Sequence, residues 1–209
     1  MITIQRSGTS LSHTDQELDR IRQDFQRNYF VRLPNLISAD LLKELYSQIM
    51  EASWEERIHD GIGVEVCLSD PGIAALINFL LNDQELFRVI EKITGCGAIG
   101  SFSGRVYRMV PDSGHYDSWH SDFGEHRLLA LSLNLSKQIY EGGVLQIKER
   151  NSNSISMDVP NTEFGSAILF RLASDLEHRV TNVEGIIPKT AFAGWFRSEP
   201  DTWAALGSF

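Results

Sequence analysis

Cysteine is scarce in this chain, and its placement argues against a disulfide framework or a zinc site. Only 2 cysteines occur among 209 residues, and Cys67 and Cys96 do not form the C-x-x-C spacing of redox and zinc motifs. The 6 prolines and 16 glycines are ordinary numbers, which excludes a low-complexity or collagen-like chain. We therefore expect two free thiols in a globular protein.

The chain also lacks a surplus of positive charge and any long apolar run. It has 19 basic and 28 acidic residues, a formal net charge of -9, so we expect neither nucleic acid nor an anionic membrane as a partner. No window reaches the roughly 18 to 20 apolar residues that span a bilayer, and the residues after Ile4 are polar rather than signal-like. We predict a cytoplasmic protein, and the sequence leaves its oligomeric state open.

The chain does contain enough apolar material for one domain, which we place over 1–209. Hydrophobic residues make up 42% of it, sufficient for a single sizeable core and short of two. In the first half, apolar residues recur at helical spacing behind capping residues. The predicted helices are 14–28, one after Ser38, one after Asp70, and 83–95. Residues 1–95 are thus predicted to be a mostly helical support.

Beyond Gly95 the apolar period changes from helical to alternating. Alternation of apolar and polar residues indicates strands with one buried face. The candidate strands are 105–110, 116–121, 127–136, 143–148, 154–159, 166–171, 177–184 and 189–197. Because no helix-length crossover separates them, they predict a sandwich or barrel over 96–200 rather than a parallel α/β sheet.

Three copies of the pattern His-x-Asp are the strongest chemical signal, and they begin at His13, His115 and His120. The first stands where a helix begins, a position at which the helix dipole explains an Asp. Residues two apart on a strand point to one side, so either of the other copies can aim an imidazole and a carboxylate at one ion. The pair of His120 and Asp122 is favoured because His178, on a later candidate strand, offers a third ligand. Two imidazoles and one carboxylate on one face suit non-haem Fe(II) that reacts with dioxygen.

The segments around these residues form an ordered set. They are the run from Tyr107 through Gly114 to His120-Ser-Asp122, then Glu141-Gly-Gly143, then Glu177-His178, and last the run from Pro188-Lys189 to Gly194-Trp195-Phe196. Their order and spacing resemble those of the Fe(II)/2-oxoglutarate-dependent oxygenases, in particular the prolyl 4-hydroxylase-like branch. The resemblance implies a mainly β fold with N-terminal helices and a double-stranded β-helix (jelly-roll, cupin-like) core.

The resemblance also implies an enzyme and a ligand set. Fe(II) would be bound by His120, Asp122 and His178, with 2-oxoglutarate and O2 as co-substrates. The reaction is then hydroxylation of a C–H bond of a small molecule or amino-acid-like substrate, with release of succinate and CO2; desaturation and cyclisation stay open. Two alternative functions also stay open: a peptidyl or protein prolyl hydroxylase, and a cupin-like metal-binding protein without oxygenase activity.

Further residues are implied to contact 2-oxoglutarate. In the family, a basic residue on the last strand holds the distal carboxylate. Lys189 takes that place, but it follows His178 by eleven residues where relatives usually have nine or ten, so Arg197 remains the alternative. Tyr107 and Asn134 align with other positions that touch the co-substrate.

Two segments of the chain are candidates for the border of the substrate pocket. The stretch 51–67 is the longest between the predicted helices and contains Trp54 and His59, and the loop 111–119 leads into the favoured His-x-Asp motif. Loops beside a rigid barrel usually carry specificity. We therefore predict that both segments border the substrate pocket; the alternative for 51–67 is an ordinary solvated connection.

Overall fold

The computed structural model describes residues 2–124, 126–152, 154–155 and 157–199. Its helices are α1 Asp15–Asn28, α2 Ala39–Glu51, α3 Pro71–Leu81 and α4 Gln84–Thr94. Thr14 and Glu17 form a capping box at the start of α1. The carboxylates of Asp70 and Asp83 cap α3 and α4, and α4 ends at Gly95 in the left-handed conformation. All four predicted helices are confirmed.

The strands account for most of the second half of the described chain. They are β1 Ile2–Gln5, β2 Gly8–Leu11, β3 Phe30–Leu33, β4 Trp54–His59, β5 Gly63–Leu68, β6 Ser101–Met109, β7 Tyr116–Asp117, β8 Arg127–Asn134, β9 Glu141–Gly142, β10 Leu145–Glu149, β11 Met157–Val159, β12 Ala167–Arg171, β13 Leu176–Val180, β14 Val183–Glu184 and β15 Lys189–Arg197. Each strand candidate overlaps one of β6 to β15. The candidate 116–121 shortens to β7, and residue 156 of the candidate 154–159 lies outside the described residues.

These strands form a double-stranded β-helix, as the resemblance implies. The larger sheet has the order β3-β12-β8-β15-β6-β5-β4, with β7 paired to β5, and the smaller sheet has the order β11-β10-β13. Two further pairs, β1 with β2 and β9 with β14, complete the sheets. The neighbours are antiparallel, and from β6 to β15 the described chain crosses back and forth without helical connections.

The larger sheet has an outer face that packs on the helices and an inner face that lines a cavity. Side chains alternate between the faces along each strand. On β15, Phe192 and Phe196 are fully buried in the apolar cluster shared with the helices. Lys189, Ala193 and Trp195 lie on the inner face and line the cavity. The alternation seen in the sequence of β15 therefore separates core from site.

Two asparagines fasten the helices to β6: Asn78 on α3 and Asn82, which caps its C-terminus. Asn78 Oδ1 accepts from Gly104 N over 2.8 Å, and Asn78 Nδ2 donates to Gly104 O over 3.0 Å. Asn82 makes the same two bonds with the backbone of Phe102, at 2.9 and 2.8 Å. Because β5 pairs with β6 at only two positions, these amides take the place of a strand ladder along the rest of that edge.

The stretch 51–67 is not a loop, and this corrects the loop structure that both interpretations of it from the sequence assumed. It contains β4 and β5, a hairpin that extends the larger sheet. The support over 1–95 is therefore helical only in part. The dipeptide Asp60-Gly61 is a hairpin-turn signal that marks the point of reversal, and Gly61 has a φ of 72°. The charged residues of β4 hide its strand character because they break the expected apolar alternation.

Both cysteines, Cys67 and Cys96, are free thiols, as the spacing indicates. Burial raises the pKa of each thiol, so neither is an activated nucleophile. Among the helices of the described residues, none is both long and apolar enough to cross a bilayer.

Candidate active site

The structure brings His120, Asp122 and His178 together on the wall of the cavity. Their ligand atoms all lie within 4.8 Å of one another. Asp122 Oδ2 is 3.5 Å from His178 Nε2, and Asp122 Oδ1 is 3.9 Å from His120 Nε2. The two imidazole rings are 4.4 Å apart between centroids. Two imidazole nitrogens and a carboxylate thus face one small volume.

A pair of backbone hydrogen bonds, rather than one continuous strand, positions His120 beside His178. His178 lies at the centre of β13, and its N–H donates to His120 O over 2.9 Å while His120 N–H donates to His178 O over 3.1 Å. Asp122 follows outside any strand. The convergence of His120 and Asp122 therefore depends on pairing with β13, and the continuous strand assumed from the sequence is wrong at this point.

The hydrogen bond at the far nitrogen of His120 orients its ring toward the cluster. His120 Nδ1 lies 2.8 Å from Ser118 O. A carbonyl only accepts, so Nδ1 carries the proton and Nε2 keeps a lone pair for a ligand. This is the tautomer that metal-binding histidines use.

The competing pair, His115 and Asp117, does not converge on an ion. His115 Nδ1 accepts from Val110 N–H over 2.9 Å. Asp117 Oδ2 accepts from Val180 N–H over 2.7 Å, and Asp117 Oδ1 lies 3.4 Å from His120 Nδ1. Burial raises the pKa of Asp117. Asp117 is therefore a neighbour of the favoured cluster, and His115 fastens the turn that precedes it.

The carboxylate of Asp122 is ionised despite its burial. Burial by itself raises its pKa, but the hydrogen bond and charge of His178, with lesser help from Trp195 and His120, hold the pKa well below its ordinary value. Arg127 Nη1 also lies 3.4 Å from Asp122 Oδ1, and its guanidinium stacks 4.2 Å from the centroid of the Trp195 ring. An ionised carboxylate beside two imidazoles is a donor set that fits non-haem Fe(II).

Lys189 is a buried cation on the wall of the same cavity. It is 2% exposed, and Nζ donates to Gly143 O over 2.8 Å. The ring centroids of Tyr107 and Tyr140 each lie 6.0 Å from Nζ. Burial lowers the pKa of Lys189 to about 8, with partial compensation by Asp117 and Glu65. A lysine in this position is ready to pair with a carboxylate.

The space that Lys189 occupies depends on Gly143. This residue has a φ of +59°, and a Cβ there would meet Lys189 Cδ and Tyr140 Cε2 at 2.9 Å each. Tyr140 donates its hydroxyl to Asn161 O. Tyr140 was not singled out from the sequence, because the loop that carries it shows no periodic pattern.

The two other residues expected to touch 2-oxoglutarate differ in their placement. Tyr107 is buried and lines the cavity, and burial raises the pKa of its phenol, which keeps it a donor. Asn134 is fully buried, and its side chain bonds to the backbone of Ser136, with Oδ1 3.0 Å from Ser136 N and Nδ2 3.4 Å from Ser136 O. Several residues of β8, among them Ala130 and Ser132, line the cavity, but Asn134 is not among the described residues that do so.

Three further residues lie elsewhere: Arg197, the alternative cation, and Trp119 and His126, which flank the motif of His120 and Asp122 in the sequence. Arg197 occupies the far end of β15, opposite Ser101. Trp119 lies beneath Lys148 and Arg179, whose charged groups are 4.6 and 4.8 Å from its ring centroid. His126 pairs with a surface carboxylate. Within the described chain, Arg197, Trp119 and His126 are not part of the cavity wall.

A second charged group, of which only His59 was named from the sequence, lies on the inner face of β4, β5 and β6. Arg105 Nε and Nη2 donate to Glu65 Oε1 over 2.9 and 2.7 Å. His59 Nε2 lies 3.3 Å from both Glu65 Oε1 and Arg105 Nη2. These three residues, together called the Arg105 cluster, all line the cavity. They come from three strands, so no sequence spacing could have linked them.

The cavity has a volume of about 580 Å³, the size of a small-molecule site. Of the stretch 51–67, Arg57, His59 and Glu65 border it, whereas Trp54 stacks under Arg108 at 3.9 Å on the outer face. Of the loop 111–119, only 116 and 117 border it among the described residues. The predicted border is thus made by a hairpin and by one end of the loop.

Residues 104–197 match the model of the family described as the 2OG-Fe(II) oxygenase superfamily. This segment contains the three residues of the metal cluster, Lys189 and Arg105. No curated protein sequence matches the chain significantly.

Several solved structures have the same fold. One is an oxidoreductase of the 2OG-Fe(II) oxygenase family from Burkholderia pseudomallei, with 15% identity, a TM-score of 0.65, and coverage of 94% of this chain and 97% of that one. Another is a prolyl-4-hydroxylase from Pseudomonas putida, with 18% identity, a TM-score of 0.63, and coverage of 86% and 98%. A third is the non-heme alpha ketoglutarate dependent epimerase SnoN from nogalamycin biosynthesis, with 12% identity, a TM-score of 0.63, and coverage of 92% and 89%. Because the sequence identities are low, these structural similarities show a shared fold.

Proposed function

Because residues 104–197 belong to the 2OG-Fe(II) oxygenase superfamily, we propose that this enzyme hydroxylates a C–H bond of a small molecule or amino-acid-like substrate. The chain is a 2-oxoglutarate-dependent non-haem iron dioxygenase that uses Fe(II), 2-oxoglutarate and O2. This membership sets aside the cupin-like protein without oxygenase activity. When bound, the iron couples oxidation of a C–H bond by O2 to decarboxylation of 2-oxoglutarate, which gives succinate, CO2 and the hydroxylated substrate.

The observation that carries the proposal is that three potential iron ligands and a buried lysine line one cavity. In this assignment His120, Asp122 and His178 hold Fe(II). The proton on His120 Nδ1 stays with Ser118 O, which keeps Nε2 free to bind. Asp122 brings the negative charge that a divalent ion requires.

Lys189 would bind the distal carboxylate of 2-oxoglutarate. With a pKa of about 8, its amine is mostly charged at neutral pH, and burial makes that charge costly without a counter-ion. A carboxylate at Nζ supplies the counter-ion. Tyr107, which lies beside Lys189 and keeps its phenolic proton, is suited to donate a second hydrogen bond.

The first experiment assigns the iron ligands with the full chain. His120→Ala, Asp122→Ala and His178→Ala should each abolish succinate formation and weaken Fe(II) binding, measured by anaerobic titration. His115→Ala is the matched control, because it removes an imidazole of the competing motif and should leave Fe(II) binding intact. Loss of Fe(II) binding in His115→Ala, together with its retention in His120→Ala, would reverse the assignment.

The second experiment addresses the substrate. Small molecules, amino acids and prolyl peptides are screened for stimulation of succinate release above the uncoupled rate. Hydroxylation is confirmed by mass spectrometry as an increase of about 16 Da, the mass of one oxygen atom. We expect stimulation by compounds that fit a cavity of about 580 Å³. Stimulation by prolyl peptides alone would instead favour the peptidyl hydroxylase.

A further inference from the structure

The guanidinium of the Arg105 cluster lies at a different place on the cavity wall from Lys189, although burial lowers the pKa of Lys189 and the charge of Glu65 partly opposes this. On β6, Met109 pairs with Lys189, whereas Arg105 pairs with Ala193. Four residues of strand separate these pairs, about 13 Å at 3.3 Å per residue. Arg105 is therefore placed at a different part of the cavity wall from Lys189.

Arg105 is a fixed and charged group. Burial by itself would lower its pKa, but the charge and hydrogen bonds of Glu65 outweigh burial, and the pKa stands above its ordinary value. Glu65 holds the Nε and Nη2 edge of the guanidinium. The contacts of Arg105 with Glu65 and His59 use Nε and Nη2, Cys67 adds a further side-chain hydrogen bond, and the guanidinium borders the cavity. A guanidinium held on one edge is preorganised to bind an anion with the donors that remain.

The described cavity wall carries positive groups that are not assigned to iron or 2-oxoglutarate. Arg57 and Arg105 both border it, and Arg105 is paired with the carboxylate of Glu65. Guanidinium groups on the wall of a cavity favour an anionic ligand over a neutral or cationic one.

We propose that Arg105, held by Glu65 and His59, binds a carboxylate or phosphate group of the substrate, which is therefore a small anion. The inference rests on the proposed function, since it names the substrate class of the same site. Arg57, an exposed residue that also borders the cavity, adds positive charge on the path by which an anion enters.

The test measures binding rather than turnover. The full chain, loaded with redox-inert Zn(II) and 2-oxoglutarate, is screened by ligand-observed NMR against hexanoate, benzoate, lactate, N-acetyl amino acids and phenyl phosphate. Each carboxylate is paired with its amide, and phenyl phosphate with phenol. The Kd of each binder is then obtained by calorimetry. We expect at least one anion to bind about 10- to 100-fold more tightly than its neutral partner; the carboxylate and phosphate arms separate the two kinds of anion.

Arg105→Met should remove that preference. Arg108→Met is the matched control, because Arg108 lies on the outer face of the same strand, over Trp54, and its loss changes the net charge equally. Arg105→Met leaves Glu65 without its partner, so the double variant Arg105→Met/Glu65→Gln is measured beside it to remove both charges from the fold. Both variants should lose the anion preference, while Arg108→Met keeps it.

The outcome is distinguishable from failure of the proposed function. The affinity for 2-oxoglutarate should fall in Lys189→Met and stay unchanged in Arg105→Met. An unchanged affinity in Lys189→Met overturns the assignment of the co-substrate site, whereas the anion preference is tested separately by the Arg105 variants. The inference is overturned if no anion gives a saturable signal, if amides bind as tightly as acids, or if Arg105→Met and the double variant bind the anion as the parent chain does.

Discussion

Trp195 donates a hydrogen bond from Nε1 to Asp122 Oδ2 over 2.8 Å. The two residues are far apart in the chain, and the bond fixes the carboxylate that faces His120 and His178. A buried carboxylate with one oxygen fastened loses less rotational freedom when it binds an ion. Two residues on the inner face of β15 therefore support the site. Trp195 orients the carboxylate of Asp122, and Lys189 lines the proposed co-substrate site.

Replacing Trp195 by Phe should weaken metal binding without unfolding the chain. The ring is kept, but the donor to Asp122 is lost, and loss of such a partner typically lowers metal affinity about 10- to 100-fold. Fe(II) titration under anaerobic conditions measures the change. Trp119→Phe removes the same indole N–H away from the cavity wall and should leave the affinity unaltered. Equal affinities in Trp195→Phe and the parent chain would mean that the bond has no part in orienting the ligand.

Lys189→Met should weaken 2-oxoglutarate binding by about two orders of magnitude. Removing one partner of a buried, hydrogen-bonded charge pair costs several kcal/mol, because the other charge is left unpaired. The apparent KM for 2-oxoglutarate is the readout. Arg197→Met, at the opposite end of β15, serves as the control. An unchanged KM in Lys189→Met with a large rise in Arg197→Met would transfer the role to Arg197.

The affinity for 2-oxoglutarate should depend on pH near 8. Lys189 has a pKa of about 8 because burial lowers it, and the nearby carboxylates of Asp117 and Glu65 only partly oppose this effect. Below that pH the amine of Lys189 is charged and binds the carboxylate. Above it, the neutral amine must take up a proton before it can bind. We expect a constant Kd below pH 8 and a rise of about tenfold per pH unit above it. Calorimetry from pH 6.5 to 9.5, a window about 1.5 units on each side of that pKa, measures this, and Lys189→Met should show no such rise.

Asn78→Ala should destabilise the fold rather than the site. The change leaves the half-buried Gly104 N and Gly104 O without their partners on Asn78. Each unsatisfied group costs about 1 to 3 kcal/mol, so the free energy of unfolding should fall by about 2 to 6 kcal/mol. Urea denaturation gives this value. Asn28→Ala, at the end of α1, should change it by less than about 1 kcal/mol; a similar loss in both variants would contradict the role of Asn78.

The four helices and most of the strands from β6 onward could be predicted because their signals lie within a few residues of each other. Thr14 and Glu17 form their capping box across one helical turn, and the alternation of β15 is complete within nine residues. The hairpin of β4 and β5 was missed because its apolar alternation is weak, although Asp60-Gly61 marks its turn. The motif that contains His120 and Asp122 could also be recognised, because its two residues are only two positions apart in the chain.

Short spacings in the sequence were enough to predict the type of fold, the types of ligand and the family resemblance. Which residues meet in the cavity depends on the tertiary structure. The pairing of His120 with His178, the 2.8 Å bond from Lys189 to Gly143 O, and the contact of Arg105 with Glu65 and His59 join residues that are distant in the chain. The registers of neighbouring strands fix these contacts, and a register is set by the packing of a whole sheet on its core rather than by the identity of any one residue.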